Sequence, residues 1–283
     1  MVGAITPAPA REAEIEEIEL QLLLEAIARA AGIDYREYDP NTLRRRVSDR
    51  MRAEQVATIS ALQDRVLHDK VALDHFVAAM AGGHRELFYD PGFFLAFRLH
   101  VVPLLQTYSF VRLWLPEAGA GEDAWSLAAL LDEVGLLSRC IIYATSFSEV
   151  ASGLARRGEY AIDVLRAVRS AVRNAGFKQP LESFAALEGG RVRFAGRLRD
   201  GIMFASCDPS STASINEFHA IVARNVFPLF SGAGQYRLHR VAYQSLARLG
   251  FLCLGKGESV SGTVHERAYR QVTPDHNIYR RMR

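Results

Sequence analysis

An apolar run followed by a glycine turn and then a helix is the feature that most constrains how this chain folds. Residues 111–115 are apolar apart from Arg112, and Gly119 and Gly121 follow closely. An amphipathic segment with regularly spaced leucines then begins, at 127–134. Glycines let the backbone approach a ligand, and a helix N-terminus offers free N–H groups. The pattern predicts a strand, a turn and a helix around a nucleotide-type pocket, although Gly-x-Gly alone is a weak signal.

Composition indicates an ordinary globular protein. The chain has 283 residues, of which 49% are hydrophobic and 23% charged, a length that suits one large domain or two moderate ones. The 34 basic and 32 acidic side chains leave a net charge of +2. Because this balance produces no strong overall field, we expect neither a nucleic-acid partner nor insertion into a membrane.

Cysteine and histidine usage argues against a disulfide framework and against a metal site. The three cysteines, Cys140, Cys207 and Cys253, lie far apart without a CxxC pattern, and the eight histidines show no metal-ligand spacing. The N-terminus lacks the pattern of a signal peptide, and no apolar run has membrane-spanning length. We therefore expect a cytoplasmic protein with reduced thiols and no bound metal.

The N-terminal part of the chain has the spacing of helices. Residues 1–11 are interpreted as a flexible tail, and 12–82 as a helical domain that ends at Gly82-Gly83. Asp39-Pro40-Asn41 is a helix-start signal, because Asp or Asn can cap a helix and Pro suits its first turn. A helical period is also indicated by four apolar residues near the start, Ile15, Ile18, Leu22 and Ile27.

Residues 83–283 predict an α/β domain. Short apolar runs alternate there with helical stretches, which is typical of a doubly wound parallel sheet. The predicted strands are Val111–Leu115, Cys140–Thr145, Phe218–Val222 and Phe251–Leu254. Residues 181–203 have a different pattern. Short apolar runs separated by glycine turns predict a small antiparallel insert there, and the last of these runs is Ile202–Phe204.

These elements and several motifs resemble the chemotaxis receptor methyltransferase family over almost the whole chain, from about residue 15 onward. The motifs are Leu43–Met51, Leu87–Phe94, Arg112–Ser126, Ala144–Tyr160, Arg224–Val226 and Leu252–Ser259. The resemblance implies an α/β fold: a Rossmann-like class I methyltransferase sheet that binds S-adenosylmethionine, an N-terminal helical domain and a small antiparallel β-subdomain insert.

The resemblance also implies a set of site residues. The cofactor-binding positions are Glu117, Gly119, Gly121, Glu122, Asp123, Ser146 and Asp208, and the catalytic positions are Tyr89, Leu229, Arg224 and Asn225. The family transfers a methyl group to a glutamate carboxylate. That reaction needs little acid–base help because the nucleophile is already ionised, so most of the catalysis is positioning and exclusion of water.

Five of these positions depart from the family pattern. Tyr89 replaces an Arg that contacts the cofactor, Ser146 replaces the acid that grips the ribose diol, and Leu229 replaces a Tyr near the transferred methyl group. Asp123 shortens a Glu, and Asp208 replaces an Asn on the adenine side. Each lost charge-assisted hydrogen bond is worth roughly 1.5–3 kcal/mol. Two or three losses weaken binding by about two to six decades.

Several roles remain open at this level. Glu117 belongs to a loop that also fits the general methyltransferase pattern Asp/Glu-x-Gly-x-Gly. It either binds the cofactor's amino group, or lies at the pocket mouth and there points to solvent or fills the pocket. Asp123 is a cofactor ligand or a favourable charge at a helix N-terminus. Arg224 and Asn225 are cleft residues or a structural ion pair and turn.

Two functions follow from these alternatives. The first is a degenerate family member that acts as a binding or regulatory module in bacterial signalling. The second is an active S-adenosylmethionine-dependent methyltransferase of glutamate side chains on a chemoreceptor-like protein.

A basic segment stands apart from the cofactor motifs. Five arginines, with Asp49 as the only nearby acid, occupy one helical stretch: Arg44, Arg45, Arg46, Arg50 and Arg52. They form either a solvated helix face, with the acidic residues 12–19 as the nearest internal partner, or a contact surface. In the second case the partner is an acidic signalling or receptor protein, or an anionic small ligand.

Overall fold

The computed structural model describes residues 8–81, 86–146, 149–161, 165–207 and 217–283. They belong to two compact units, Met1–Met80 and Ala81–Arg283, whose boundary lies two residues before the predicted one. Residues 1–7 of the predicted tail, the Gly82-Gly83 pair and Asp208 lie outside the described residues.

The described residues of the first unit form four helices: α1 Ala8–Ala31, α2 Pro40–Glu54, α3 Ile59–His68 and α4 Lys70–Met80. Asp39 caps α2 as predicted, because its side chain accepts a hydrogen bond from the amide of Thr42 at 2.8 Å. Helix α1 begins at Ala8, so the prediction of a flexible tail is wrong for residues 8–11.

Most of the apolar residues that predict the helical period of α1 are exposed. Ile15, Ile18 and Leu22 are exposed, although they share a helical spacing with the buried Ile27. The residues that α1 does bury are Leu20, Leu23, Leu24 and Ile27. The helix therefore carries apolar side chains on two faces, and only one of these faces is covered.

The second unit is built on a seven-stranded sheet. The strands of this unit are β1 Val111–Leu115, β2 Cys140–Ser146, β3 Glu159–Ala161, β4 Ala185–Glu188, β5 Arg191–Phe194, β6 Ile202–Ser206, β7 Phe218–Ala223, β8 Leu246–Leu254, β9 Tyr269–Thr273 and β10 His276–Arg281. The order in the main sheet is β6-β2-β1-β7-β8-β10-β9. The first five strands run parallel, and β10 is antiparallel to both neighbours. All four predicted strands are present, and the predicted fold class is confirmed.

The small antiparallel sheet differs in part from the prediction. It contains β3, β5 and β4 in that order, and the Gly189-Gly190 turn joins β4 to β5. The prediction that Ile202–Phe204 belongs to it is wrong. After β5 the chain enters a short helix, and β6 then pairs in parallel with β2 at the edge of the main sheet.

Seven helices complete the described part of this unit: α5 Pro91–Ala96, α6 Val102–Leu105, α7 Glu122–Glu133, α8 Glu149–Arg157, α9 Leu165–Asn174, α10 Gly196–Arg199 and α11 Gly232–Ser245. A π-helical turn, Phe97–Val101, connects α5 to α6. Across the described ranges, no helix has both the length and the apolar character needed to cross a membrane.

The sheet order fixes where a ligand site can form. Strands β1, β2 and β7 are parallel, so their carboxyl ends meet at one edge. From β1 the chain continues to β2 on one side of β1, while β7 pairs with β1 on its other side. Open parallel sheets bind ligands where the strand order reverses direction in this way, in the crevice outside the carboxyl ends of the strands.

Candidate functional site

The turn after β1 has the geometry of a tight glycine loop. Glu117, Gly119 and Gly121 all adopt left-handed backbone angles, with φ of 53°, 59° and 92°. The Ala118 amide donates to the carbonyl oxygen of Thr145 at 2.8 Å, which ties the loop to the end of β2. Two of the three left-handed positions are glycines, for which this conformation is not strained.

The end of this loop requires glycine for a second reason. A Cβ atom on Gly121 would lie 3.1 Å from the Cβ of Ala155.

The loop is also held by Tyr160, whose hydroxyl donates a hydrogen bond to the carbonyl oxygen of Ala120 at 2.9 Å. Burial, with a further contribution from the carboxylate of Glu122, raises the pKa of Tyr160 well above its usual value. The phenol is therefore a neutral donor over the physiological range.

Glu117 is buried, and only 2% of its surface is exposed. It lines a cavity of about 10 Å³, which has room for roughly one water molecule, together with Asp123 and Arg224. The alternative in which Glu117 faces solvent is therefore wrong. The structure brings together three predicted site residues from two parts of the chain, the turn after β1 with the start of α7, and the end of β7.

Arg224 follows β7 and is almost completely buried. Its Nη1 lies 2.8 Å from Oδ1 of Asp123, and its Nη2 donates to the carbonyl oxygen of Tyr89 at 2.7 Å. The guanidinium carbon stands 4.2 Å from the ring centre of Phe93, a cation–π geometry. Burial raises the pKa of Asp123, Arg224 opposes that rise and Asp90 adds to it. The protein itself therefore engages both charges of this pair.

The loop after Arg224 is held by a residue to which sequence reasoning assigned no role. The carboxylate of Glu258 accepts four backbone hydrogen bonds, from the amides of Asn225 (2.8 Å), Val226 (3.0 Å), Phe227 (3.0 Å) and Gly255 (2.5 Å). Burial raises the pKa of Glu258, and the amide donors oppose the rise. The one available signal was an acid in a Gly-Lys-Gly-Glu turn after an apolar strand.

Six predicted positions remain, and the first of them, Glu122, is buried at the start of α7. Ser146 is buried at the end of β2, and its Oγ has no hydrogen-bond partner within the described parts of the chain. Leu229 is buried in a 3₁₀ turn, and Tyr89 is 37% exposed. Asn225 adopts a left-handed φ of 57°. Asp208, as noted, lies outside the described residues.

The arginines of α2 belong to the first unit, where most of them have partners. These partners are Glu17 for Arg44, the Met80 carbonyl oxygen for Arg46, Glu54 for Arg50 and Asp49 for Arg52. Arg46 caps the C-terminus of α4, and the Arg50 pair is largely buried. Arg45 is exposed and makes no ion pair with any residue described in the structure. The side chains of Arg44, Arg45 and Arg52 remain on the surface.

Known families match both units. The family described as CheR methyltransferase, all-alpha domain, matches residues 18–81. The family described as CheR methyltransferase, SAM binding domain, matches residues 84–276. The chain belongs to the CheR methyltransferase family. Its second unit is therefore a SAM-binding type of domain, and the motif-based resemblance is confirmed.

Individual CheR relatives cover nearly all of the chain. The Cher3 protein of Pseudomonas putida is 32% identical over 265 residues, covering 94% of this chain and 97% of its own length. A chemotaxis protein methyltransferase of Listeria monocytogenes is 22% identical over 236 residues, covering 83% and 87%. A crystal structure of the glycopeptide N-methyltransferase MtfA complexed with S-adenosyl-L-methionine is 16% identical, covers 56% and 53%, and has a TM-score of 0.31, too low to add weight.

The residues of this CheR domain fit S-adenosylmethionine only in part. A buried carboxylate on a Gly-x-Gly turn, Glu117, suits the amino group of the methionine portion. At the position where the family resemblance expects the ribose diol, Ser146 offers a hydroxyl that lacks a partner within the described residues, where a diol would be held best by a carboxylate. At the position where the resemblance expects the transferred methyl group, Leu229 offers no polar group. The fit is incomplete at both of these positions.

Proposed function

We propose that this CheR family member acts as a binding or regulatory module in bacterial signalling, with weak or no turnover of S-adenosylmethionine. The observation that carries the proposal is the engagement of Arg224. Its guanidinium bonds to Asp123 and to the Tyr89 carbonyl, and it packs on Phe93. A cofactor would have to compete with these contacts, and buried charges give up such partners only at high cost.

The residues at the other strand ends support the same proposal. A serine hydroxyl at position 146 makes a neutral hydrogen bond, worth about 1 kcal/mol, where a carboxylate makes charge-assisted ones worth roughly 1.5–3 kcal/mol each. Leu229 removes a further polar contact. The combined loss weakens a micromolar site by about two decades or more.

Calorimetric titration with S-adenosylmethionine, and separately with its demethylated product, tests the proposal. We expect a dissociation constant weaker than about 100 μM for both, following the losses above. A low-micromolar constant, or cofactor that co-purifies with the protein, would contradict the proposal and favour the enzyme.

A double substitution separates lost polar groups from a changed pocket shape. Ser146→Asp with Leu229→Tyr restores a carboxylate and a hydroxyl, and we expect it to tighten product binding at least about tenfold, since one charge-assisted bond exceeds 1.4 kcal/mol. The matched control is Ser146→Asn with Leu229→Phe, which adds similar bulk without the charge or the hydroxyl. Equal affinities for the two variants would trace the weakness to pocket shape.

An active methyltransferase remains the second candidate, and the buried Glu117 carboxylate favours it. When bound, the cofactor would supply an electrophilic methyl group, and Glu117 would hold the cofactor's amino group. Glu117→Gln keeps the side-chain shape and removes the charge. If the protein is an active methyltransferase, that variant should no longer incorporate labelled methyl groups into receptor glutamates, while its unfolding temperature stays close to that of the parent protein.

The protein partner proposed for α2 is an acidic signalling or receptor protein. The exposed arginines, Arg44, Arg45 and Arg52, offer the charge for it, whereas Arg46 and Arg50 hold the unit together. Arg45→Glu with Arg52→Glu should weaken such a contact most at low ionic strength, because exposed charges are screened by salt. Arg46→Glu serves as the control for unfolding.

A further inference from the structure

The first unit presents an apolar stripe that its own helices leave uncovered. Ile15, Ile18 and Leu22 of α1 are 49%, 57% and 55% exposed. Their spacing of three and four residues places them on one side of the helix, roughly opposite the buried leucines. Single exposed apolar residues are ordinary, but three in a row along one helix face form a continuous surface.

Helix α1 also extends past the helices on which it packs. Its 24 residues make a rod of about 36 Å. Residues 11–16 are all exposed, and Leu20 is the first buried position from residue 11 onward. Two residues of the stripe, Ile18 and Leu22, also line a groove of about 430 Å³. Glu25 and Arg36 are among the other residues that line this groove. The groove has room for side chains of a second helix.

The stripe lies in a strongly acidic setting. Helix α1 carries six glutamates and two arginines, a net charge of −4. Glu17 and Glu19 bind Arg44 and Ser60 inside the unit. The other glutamates of the projecting part, Glu12, Glu14 and Glu16, are exposed, and none pairs with a residue in the described ranges.

We infer that this α1 stripe, Ile15–Ile18–Leu22, docks a basic amphipathic helix of a partner protein. The 3–4 spacing is that of a helix-pairing seam, and acidic residues beside such a seam select basic residues on the opposite helix. Two copies of α1 would instead bring their glutamates together, which is unfavourable. The inference concerns the first unit alone and is independent of cofactor binding.

A model peptide tests the inference on the full chain. The probe is an amphipathic helix of leucine and lysine, about five turns long, and its binding is measured by fluorescence anisotropy at about 0.15 M salt. Ile18→Asp with Leu22→Asp should weaken binding at least tenfold. Leu67→Asp with Val71→Asp is the matched control, because these two residues are 40% and 60% exposed in the same unit. Unchanged circular dichroism verifies that both variants fold.

Two further measurements complete the test. Glu12→Gln, Glu14→Gln and Glu16→Gln together should weaken binding and flatten its salt dependence. A peptide of the same composition in scrambled order should bind at least tenfold more weakly than the amphipathic one. Equal binding of the two peptides, or an equal loss in the Leu67/Val71 control, would overturn the inference. So would a concentration-dependent dimer that Ile18→Asp with Leu22→Asp dissociates, because the stripe would then belong to a second copy.

Discussion

The ends of β7 and β2 lie two strands apart at the same edge of the sheet and have opposite character. After β7, the charged groups are satisfied by the protein: Arg224 by Asp123 and the Tyr89 carbonyl, and the following amides by Glu258. At the end of β2, the buried Ser146 hydroxyl has no partner in the described structure.

This contrast concerns how much each residue contributes to stability. A polar group that is saturated by the protein contributes to stability, and its loss is costly. A buried polar group that finds no partner lowers stability, because it has lost its hydrogen bonds to water. Substitutions on the two strand ends should therefore have very different effects.

The largest effect is expected for Arg224→Met. This change leaves Asp123 buried without its counter-charge, which costs about 3–5 kcal/mol of unfolding free energy. Urea denaturation measures the loss. Adding Asp123→Leu should recover part of it, since the unpaired charge is then gone. A loss below about 1 kcal/mol would contradict the view that this pair is structural.

Glu258→Ala should come next. It leaves four backbone amides without their acceptor, and we expect a loss of about 3 kcal/mol. Glu266 provides the control. Its carboxylate is exposed and, among the described residues, accepts one hydrogen bond, from the backbone amide of Gly262 in the same region. Glu266→Ala should cost less than about 1 kcal/mol. Equal losses of unfolding free energy in the two variants would show that the four amide hydrogen bonds to Glu258 contribute no more stability than the single one to Glu266.

A smaller, pH-dependent effect is expected from His239, which lies on α11 and stacks on Phe227 with ring centres 3.9 Å apart. Burial, with a contribution from His265, lowers the pKa of His239 from 6.5 to about 4. As pH falls below 6.5 the unfolded chain takes up a proton that the folded chain does not. Stability is therefore full above pH 6.5 and falls toward pH 4, by about 1–2 kcal/mol after allowance for partial exposure.

His239→Gln isolates this effect from the titration of carboxylates over the same range. The variant should lose less stability than the parent between pH 6.5 and 4 in thermal or urea unfolding. Parallel pH profiles for the two proteins would mean that the loop after β7 does not shield His239 from protons.

The smallest effect is expected for Ser146→Ala. Removing a hydroxyl that has no partner among the described residues should change stability by less than about 0.5 kcal/mol or increase it slightly. Thermal unfolding of the variant beside Arg224→Met provides the direct contrast. A loss above about 1 kcal/mol would show that the Ser146 hydroxyl is satisfied in solution, and the difference between the two strand ends would disappear.

The sequence predicted the architecture well because its signals are local. The buried strands β1, β2, β7 and β8 are mainly apolar runs, and Asp39-Pro40 marks the start of α2. The prediction was wrong for β6, because a short apolar run after a turn does not reveal whether its neighbour is antiparallel or parallel. The sequence also did not reveal that the apolar face of α1 at Ile15, Ile18 and Leu22 is exposed, because periodicity identifies an apolar face and not what covers it.

The candidate site was predicted as a set of positions rather than as contacts. Motif resemblance identified Asp123 and Arg224, but the ion pair between them joins residues 101 positions apart. Only the folded sheet brings the ends of β1 and β7 together. Glu258 was overlooked for the same reason, because its four amide donors come from two separate loops. The burial of Glu117 likewise depends on walls supplied by distant segments.

The Glu258 contact also has a consequence for biosynthesis. The loop that follows β7 is made before the carboxylate that holds it, because Glu258 lies 31 to 33 residues further along the chain. Until Glu258 has been made, the amides of residues 225–227 lack their native acceptor. A nascent chain that stops before β8 therefore carries strands β1, β2 and β7 without the contact that holds the loop after β7.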